Sequence, residues 1–145
     1  MAPPTLGAWL TEVSSLVEGA GLTLAPGLFT ASATPKRMID RSFVLDVQSR
    51  DTGKYANGSD ELIRIGHTLT VRICKTLAPA AQFDSQIEAL GTVEAVIAKL
   101  VRRANLPDCR VQWTATRSTL TPSREHLVYD VIFDVEADWT FSSLP

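Results

Sequence analysis

The most regular pattern in the chain is an alternation of apolar and polar residues between Leu62 and Leu77. The apolar positions are Ile63, Ile65, Leu69, Val71 and Ile73, and the polar positions are Arg64, Thr68, Thr70 and Arg72. A period of two is typical of a β-strand with one face buried and the other in contact with water. A second apolar run predicts a preceding strand over Ser42–Arg50. The two strands could pair antiparallel across the polar loop Asp51–Asp60, which is too long for a tight hairpin turn.

Two other stretches follow the three- and four-residue spacing of an α-helix. The first is Thr5–Ala20, within an N-terminal helical region at residues 1–21. We interpret its apolar stripe as core packing, and the alternative is a helix that docks on a partner subunit with Trp9 as the anchor. The second is Gln82–Ala104. Its apolar stripe consists of Phe83, Ile87, Leu90, Val93, Ile97, Leu100 and Val101.

The last third of the chain again alternates with a period of two. One strand is predicted around Val111 and Trp113, and another from Leu127 to Ala137, after a turn at Pro122. The element order is then helix, strand, strand, helix, strand, strand. Strands paired as hairpins and covered by helices predict an α+β fold. We therefore expect a single domain over residues 1–145, with a mostly antiparallel sheet of about four strands and two flanking helices.

Composition narrows the function classes. The 145 residues are 45% hydrophobic and 21% charged, with a net charge of −2 and a pI near 5.6. This balance is ordinary for a globular domain and argues against a dedicated nucleic-acid binder, which normally carries a basic patch. No apolar run approaches the ~18 residues of a membrane span, and the first residues lack signal-peptide features. We interpret Cys74 and Cys109 as ordinary thiols in a reducing compartment, and we expect no membrane partner.

The sequence offers little catalytic chemistry. It contains no phosphate-binding loop and no nucleophile motif. His67 and His126 have no metal-ligand spacing to each other or to either cysteine. We therefore expect a protein that is not an enzyme and that uses no metal and no cofactor.

Acidic residues occupy one face of the final predicted strand, at Asp130, Asp134, Glu136 and Asp138. Such a row is most simply a solvated face, and the alternative is a binding surface for a basic partner. Arg64 and Arg72 on a neighbouring strand could relieve the repulsion by cross-strand pairing. Two other function classes stay open: a metal-assisted hydrolase that uses these acids with His126, and a monomeric module that binds a basic peptide.

Several segments together resemble a known family. They are RSFVLDVQSRDTGKYANGSDELIRIGHTLTVRICKTLAP, EALGTVEAVIAKLV and STLTPSREHLVYDVIFDVEADWTF. In this order they resemble small tail-completion proteins of long-tailed bacteriophages, above all the tail terminator, and similar proteins of gene-transfer agents. The resemblance covers roughly Lys36 to Phe141. It departs from the family pattern at Thr121, where the family has a serine.

The resemblance implies a structural virion protein that forms a ring, typically a hexamer. Such a ring caps the tail tube, ends its polymerisation and offers a surface for head–tail joining. The expected partners are further copies of the chain, the major tail tube protein and a head-completion or connector protein, while DNA passes through the ring without sequence-specific binding. The expected location is the neck of the virion, assembled in the host bacterial cytoplasm. The closest alternative is a head-completion protein, of the stopper or adaptor kind, at the same junction.

The predicted interface residues follow from exposure and charge. We expect the 51–60 loop to be mobile and to become ordered on contact with the tube protein. The predicted interface residues are Asp51, Lys54, Tyr55, Asn57 and Asp60 in this loop, Arg64, Arg72, Asp134 and Glu136 on strands, and Trp9 on the first helix.

Overall fold

The computed structural model of the chain describes residues 5–30, 38–49, 62–103 and 110–140. Two helices and five strands occupy these ranges. In chain order they are α1 Leu6–Glu18, β1 Thr23–Leu24, β2 Ser42–Ser49, β3 Leu62–Thr76, α2 Gln82–Arg103, β4 Arg110–Leu120 and β5 His126–Thr140. They form a single α+β domain, which confirms the predicted class and the two helices. The predicted loop 51–60 lies outside the described residues.

The five strands form one sheet in the order β1-β2-β3-β5-β4. The pairs β2–β3, β3–β5 and β5–β4 are antiparallel, whereas β1 pairs parallel to β2. The sheet is therefore mixed and has one strand more than the expected four. The additional strand has only two residues, which is too short to leave a period in the sequence.

Helix α1 forms where the sequence predicts it. The Thr5 hydroxyl accepts a hydrogen bond from the backbone N–H of Ala8 (3.1 Å), and so caps the helix start. The N–H of Gly19 donates to backbone carbonyls of the last turn and ends the helix. Trp9, Val13 and Val17 are buried. Core packing is thus confirmed, and the assignment of Trp9 to an interface is corrected, because its ring has no exposed surface with which to anchor a partner.

Both helices pack on the same face of the sheet. The main core joins Trp9 of α1 and Val96 of α2 to alternate strand residues such as Val71 and Phe133. The opposite face of the sheet, called here the open face, has no helix packed on it among the described residues. At one end of the open face, Phe29 and Met38 cover Cys74 in a small second cluster. Burial, with a smaller effect of Asp40, raises the pKa of the Cys74 thiol to about 12, so this thiol stays protonated at neutral pH.

Helix α2 carries two apolar stripes, where the sequence suggested one. The residues that enter the core are Ala89, Val93, Val96 and Leu100. Phe83, Ile87 and Leu90 are 70%, 53% and 48% exposed. At about 100° of rotation per residue, these three lie on one line with Val101, roughly a third of a turn around the helix from the core-facing line. We call Phe83, Ile87, Leu90 and Val101 the outer stripe. The prediction of a single stripe is therefore wrong: the side chains of Phe83, Ile87 and Leu90 are not part of the core.

Candidate subunit interface

The open face of the sheet pairs acids with arginines. The Nε–H of Arg72 on β3 donates a 2.8 Å hydrogen bond to Oδ1 of Asp130 on β5, and another N–H of Arg72 donates to the carbonyl oxygen of Phe29 (3.2 Å). The predicted cross-strand pairing is therefore confirmed at Arg72. The Cα register also places Arg64 opposite Asp138. Since Asp130 is bound in this way, the open face is a paired polar surface at this point and not a row of unneutralised acids.

We expect the Arg72→Ala variant to lose about 1–3 kcal/mol of unfolding free energy, because it removes a charge-assisted hydrogen bond and the link to the Phe29 carbonyl. Urea unfolding would measure the loss. The control is Arg117→Ala, because Arg117 also lies opposite Asp130 but is exposed. If the effects of Arg72→Ala and Asp130→Ala were additive in the double variant, the two side chains would not be energetically coupled.

Asp134 and Glu136 lie further along the same face. In the register, Asp134 is opposite Thr68 and Gln112, while Glu136 is opposite Gly66 and Arg110. Arg110, Gln112 and the two acids line a small depression of about 40 Å³. This end of the face thus mixes both signs of charge. An interface role for Asp134 and Glu136 stays a prediction.

The remaining predicted interface residues are not brought together by the described structure. Arg64 lies in β3. The predicted loop residues outside the described part of the chain are Asp51, Lys54, Tyr55, Asn57 and Asp60. Their role stays a prediction too.

The outer surface of β4 was not among the surfaces predicted from the sequence. This strand is the last in the sheet, and its sequence has two arginines, Arg110 and Arg117, and no acidic residue. Trp113 is 46% exposed, and its Nε1–H donates to Oγ1 of Thr116 (3.1 Å). A groove of about 540 Å³ lies between α2 and β4, with Val101 and Trp113 among its lining residues. The outer stripe of α2 and the edge strand therefore form one continuous flank, called here the β4 flank.

The opposite side of the domain has a different chemistry. Helix α1 contains two glutamates, Glu12 and Glu18, and no lysine or arginine, and β2 contains Asp46 as its only charged residue. A groove of about 590 Å³ lies between α1 and the β1–β2 edge of the sheet. Leu24 and Leu28 lie beside it and are exposed. We call this side the β2 flank; it is acidic with apolar side chains at its rim, whereas β4 is basic.

The described part of the chain was also searched for a metal site and for a helix that could cross a membrane. Within those ranges, no three His, Cys, Asp or Glu side chains are grouped so that they could hold a metal ion. His126 is buried at the start of β5, where its backbone pairs with that of Thr121. Neither of the two described helices combines the length and the apolar character that a membrane crossing requires.

Comparison with known proteins adds no name to these surfaces. No protein-family model matches the chain, and no curated protein matches its sequence. The candidate site therefore rests on geometry: two flanks of one sheet that are both exposed, of different charge, and each bordered by apolar side chains.

Proposed function

We propose that the chain is a structural subunit of a ring that caps a phage tail tube, ends its polymerisation and offers a surface for head–tail joining. The observation that carries the proposal is the outer stripe of α2. Phe83, Ile87 and Leu90 are large apolar side chains about half or more exposed on one line of a helix. A contiguous apolar patch of this kind marks an interaction surface more often than a bare solvent face.

The helix does not need these side chains for its own domain. Its core contacts come from the inner line, which includes Val93 and Leu100. Replacing Phe83, Ile87 and Leu90 by polar residues would leave that inner line unchanged. The outer stripe is therefore best explained by a protein surface that covers it in an assembly, and a structural assembly protein is the class that fits.

Two further features support a ring. The α+β architecture agrees with what the family resemblance implies for its fold. The two flanks also differ from each other, with acidic residues on α1 and β2 and arginines on β4. Unlike surfaces on opposite sides of a subunit favour head-to-tail contacts, which close into a ring when the rotation between subunits allows it.

The test is tail-tube growth in the presence of the purified protein. We expect tubes polymerised from the tail tube protein of the same particle to become shorter, with ring-shaped density at one end in negative-stain images. The test variant is Phe83→Asp/Ile87→Glu, which charges the outer stripe. Its control is Gly91→Glu, which adds a charge on the same helix where a new Cβ meets open space. Only the first should abolish capping.

Unchanged tube lengths and bare tube ends with the wild-type protein would contradict the proposal. Binding to the head connector without any effect on the tubes would identify a head-completion protein of the same junction instead.

A further inference from the structure

We infer that the β4 flank of one copy binds the β2 flank of the next copy, so that the sheet continues from subunit to subunit. The inference rests on the proposed function for the closure of this array into a ring. Strand direction, free strand edges, charge and apolar contact each point to these two surfaces as the ones that meet.

Strand direction permits a continuous antiparallel sheet. Strands β2 and β5 are both antiparallel to β3, and β4 is antiparallel to β5. Therefore β2 and β4 run in opposite directions. When copies are placed side by side in the same orientation, β4 of one copy meets β2 of the next as an antiparallel neighbour, which is the common pairing in sheets with short connections.

Both strand edges are available among the described residues. On one side, β1 pairs only with Ser42 and Phe43 of β2, and residues 25–28 line a groove with Val44 and Leu45. The stretch 46–49 is therefore the part of β2 that has no strand on its outer side within the described ranges. On the other side, β4 has no outer strand neighbour there. An exposed edge presents unpaired N–H and C=O groups and is a template for pairing with another chain.

Charges on the open face favour the same arrangement. In the sheet register, Val44 aligns through Arg72 and Asp130 with Arg117, so Val44 and Arg117 share a face. Asp46, two residues after Val44 on β2, is on that face as well. When β4 of one copy meets β2 of the next, Arg117 and Asp46 therefore point to the same side of the seam. Opposite charges on neighbouring strands attract and disfavour the wrong partner edge.

Apolar side chains on the helix face complete the contact. The outer stripe of α2 lies over the β4 edge, because the groove at its end joins Val101 to Trp113. On the other side of α2, Glu88 contacts Nζ of Lys75 on β3 (3.3 Å), so that side of the helix is directed toward the middle of the sheet and the outer stripe toward β4. The next copy offers the groove between α1 and its β1–β2 edge, with Leu24 at the rim. The stripe and the groove lie on the same face of the sheet, so one contact covers both.

The experiment uses two variants that each block one flank. Variant A is Phe83→Asp/Ile87→Glu on the β4 flank, and variant B is Leu24→Glu/Leu28→Glu on the β2 flank. All four positions are exposed in the single subunit, so both variants should fold. Light scattering would measure the mass of wild type, A, B and a mixture of A and B, with Gly91→Glu as the control for an added charge.

A head-to-tail contact predicts a specific pattern. The wild type and Gly91→Glu form multi-subunit species, while A alone and B alone stay at the monomer mass of 15.8 kDa. The mixture gives a one-to-one A–B dimer and nothing larger, because A retains one intact flank and B retains the other.

Three results would overturn the inference: a wild type that stays monomeric up to about 1 mM, a variant A that assembles like the wild type, or a mixture without A–B dimers. If the wild type stays monomeric and the tube protein protects the outer stripe, the partner of the stripe is the tube protein and not a second copy of the chain. If the wild type caps tubes and variant A still forms rings, this seam is refuted and the proposed function is retained. If the wild type forms rings that variant A does not form, but these rings do not bind tubes, the seam is retained and the proposed function is refuted.

Discussion

The Val131→Lys variant is expected to lose more than about 4 kcal/mol of unfolding free energy, or to fail to fold, because it buries an unpaired ammonium group. Val131 has no exposed surface. Its strand, β5, lies between β3 and β4, and on the helix face Val131 joins the main core. A long charged side chain at this position has no route to water without separating the helices from the sheet. Far-UV circular dichroism and urea unfolding would measure the loss.

The matched control is the same substitution one residue later. Ile132 is half-buried and belongs to the open face, where it lies between Asp130 and Asp134 along the strand. Ile132→Lys should change the unfolding free energy by about 1 kcal/mol or less, because the new ammonium group reaches water and has acidic neighbours. Equal losses for the two variants would show that the two faces of β5 are not as different as the fold requires.

This contrast reflects the part of the fold that the sequence predicts well. Alternation in β3 separates Leu69 and Val71 from Thr70 and Arg72, and the structure buries the first pair in the core. The same period placed Arg72 and the acids of β5 on one face, and the Arg72–Asp130 hydrogen bond follows from it. Which side of a strand is apolar is a local property, so a single sequence carries it.

The parts that the sequence did not predict are those that depend on distant neighbours. The placement of β5 between β3 and β4 makes β4 the outermost strand, and nothing within the β4 sequence records that position. Likewise, the stripe on α2 was predicted as one surface. Spacing alone shows that Phe83 and Leu100 are apolar, while the direction of the sheet decides which of them is covered.

The candidate interface shows the same division. Polar and charged residues in a loop or on a strand were the obvious choices from sequence, because they are exposed by default. In the described structure, by contrast, the candidates are apolar residues that remain exposed, such as Phe83 and Trp113. The helical spacing of α2 does contain a signal for the outer stripe, since its members fall on a separate line of the helix. The exposure of Trp113 has no such signal, because it follows from the strand order.

Two of the three tryptophans, Trp9 and Trp113, therefore separate the core from the proposed seam. Trp9→Ala should cost about 3–5 kcal/mol of unfolding free energy, since it removes a fully buried indole and leaves a cavity between α1 and the sheet. For a domain of this size, thermal unfolding should shift downward by roughly 10–15 °C. Differential scanning calorimetry would measure the shift. The variant remains folded at room temperature if the unfolding free energy of the wild type exceeds about 5 kcal/mol.

Trp113→Ala is the matched control, because it makes the same change at a half-exposed position of the edge strand. Its cost in the single subunit should be smaller, about 1–2 kcal/mol, because only about half of the indole is buried. For the association of subunits we expect the opposite order, with Trp113→Ala weakening association more than Trp9→Ala. Trp113 lies on the β4 flank next to the outer stripe of α2, and aromatic anchors carry much of the binding energy at protein interfaces. A Trp113→Ala protein that loses no more than about 2 kcal/mol of unfolding free energy yet associates at least about tenfold more weakly would place the indole in the seam. If instead Trp113→Ala destabilised the subunit as much as Trp9→Ala, the indole would serve the core, and the β4 flank would lose one of its anchors.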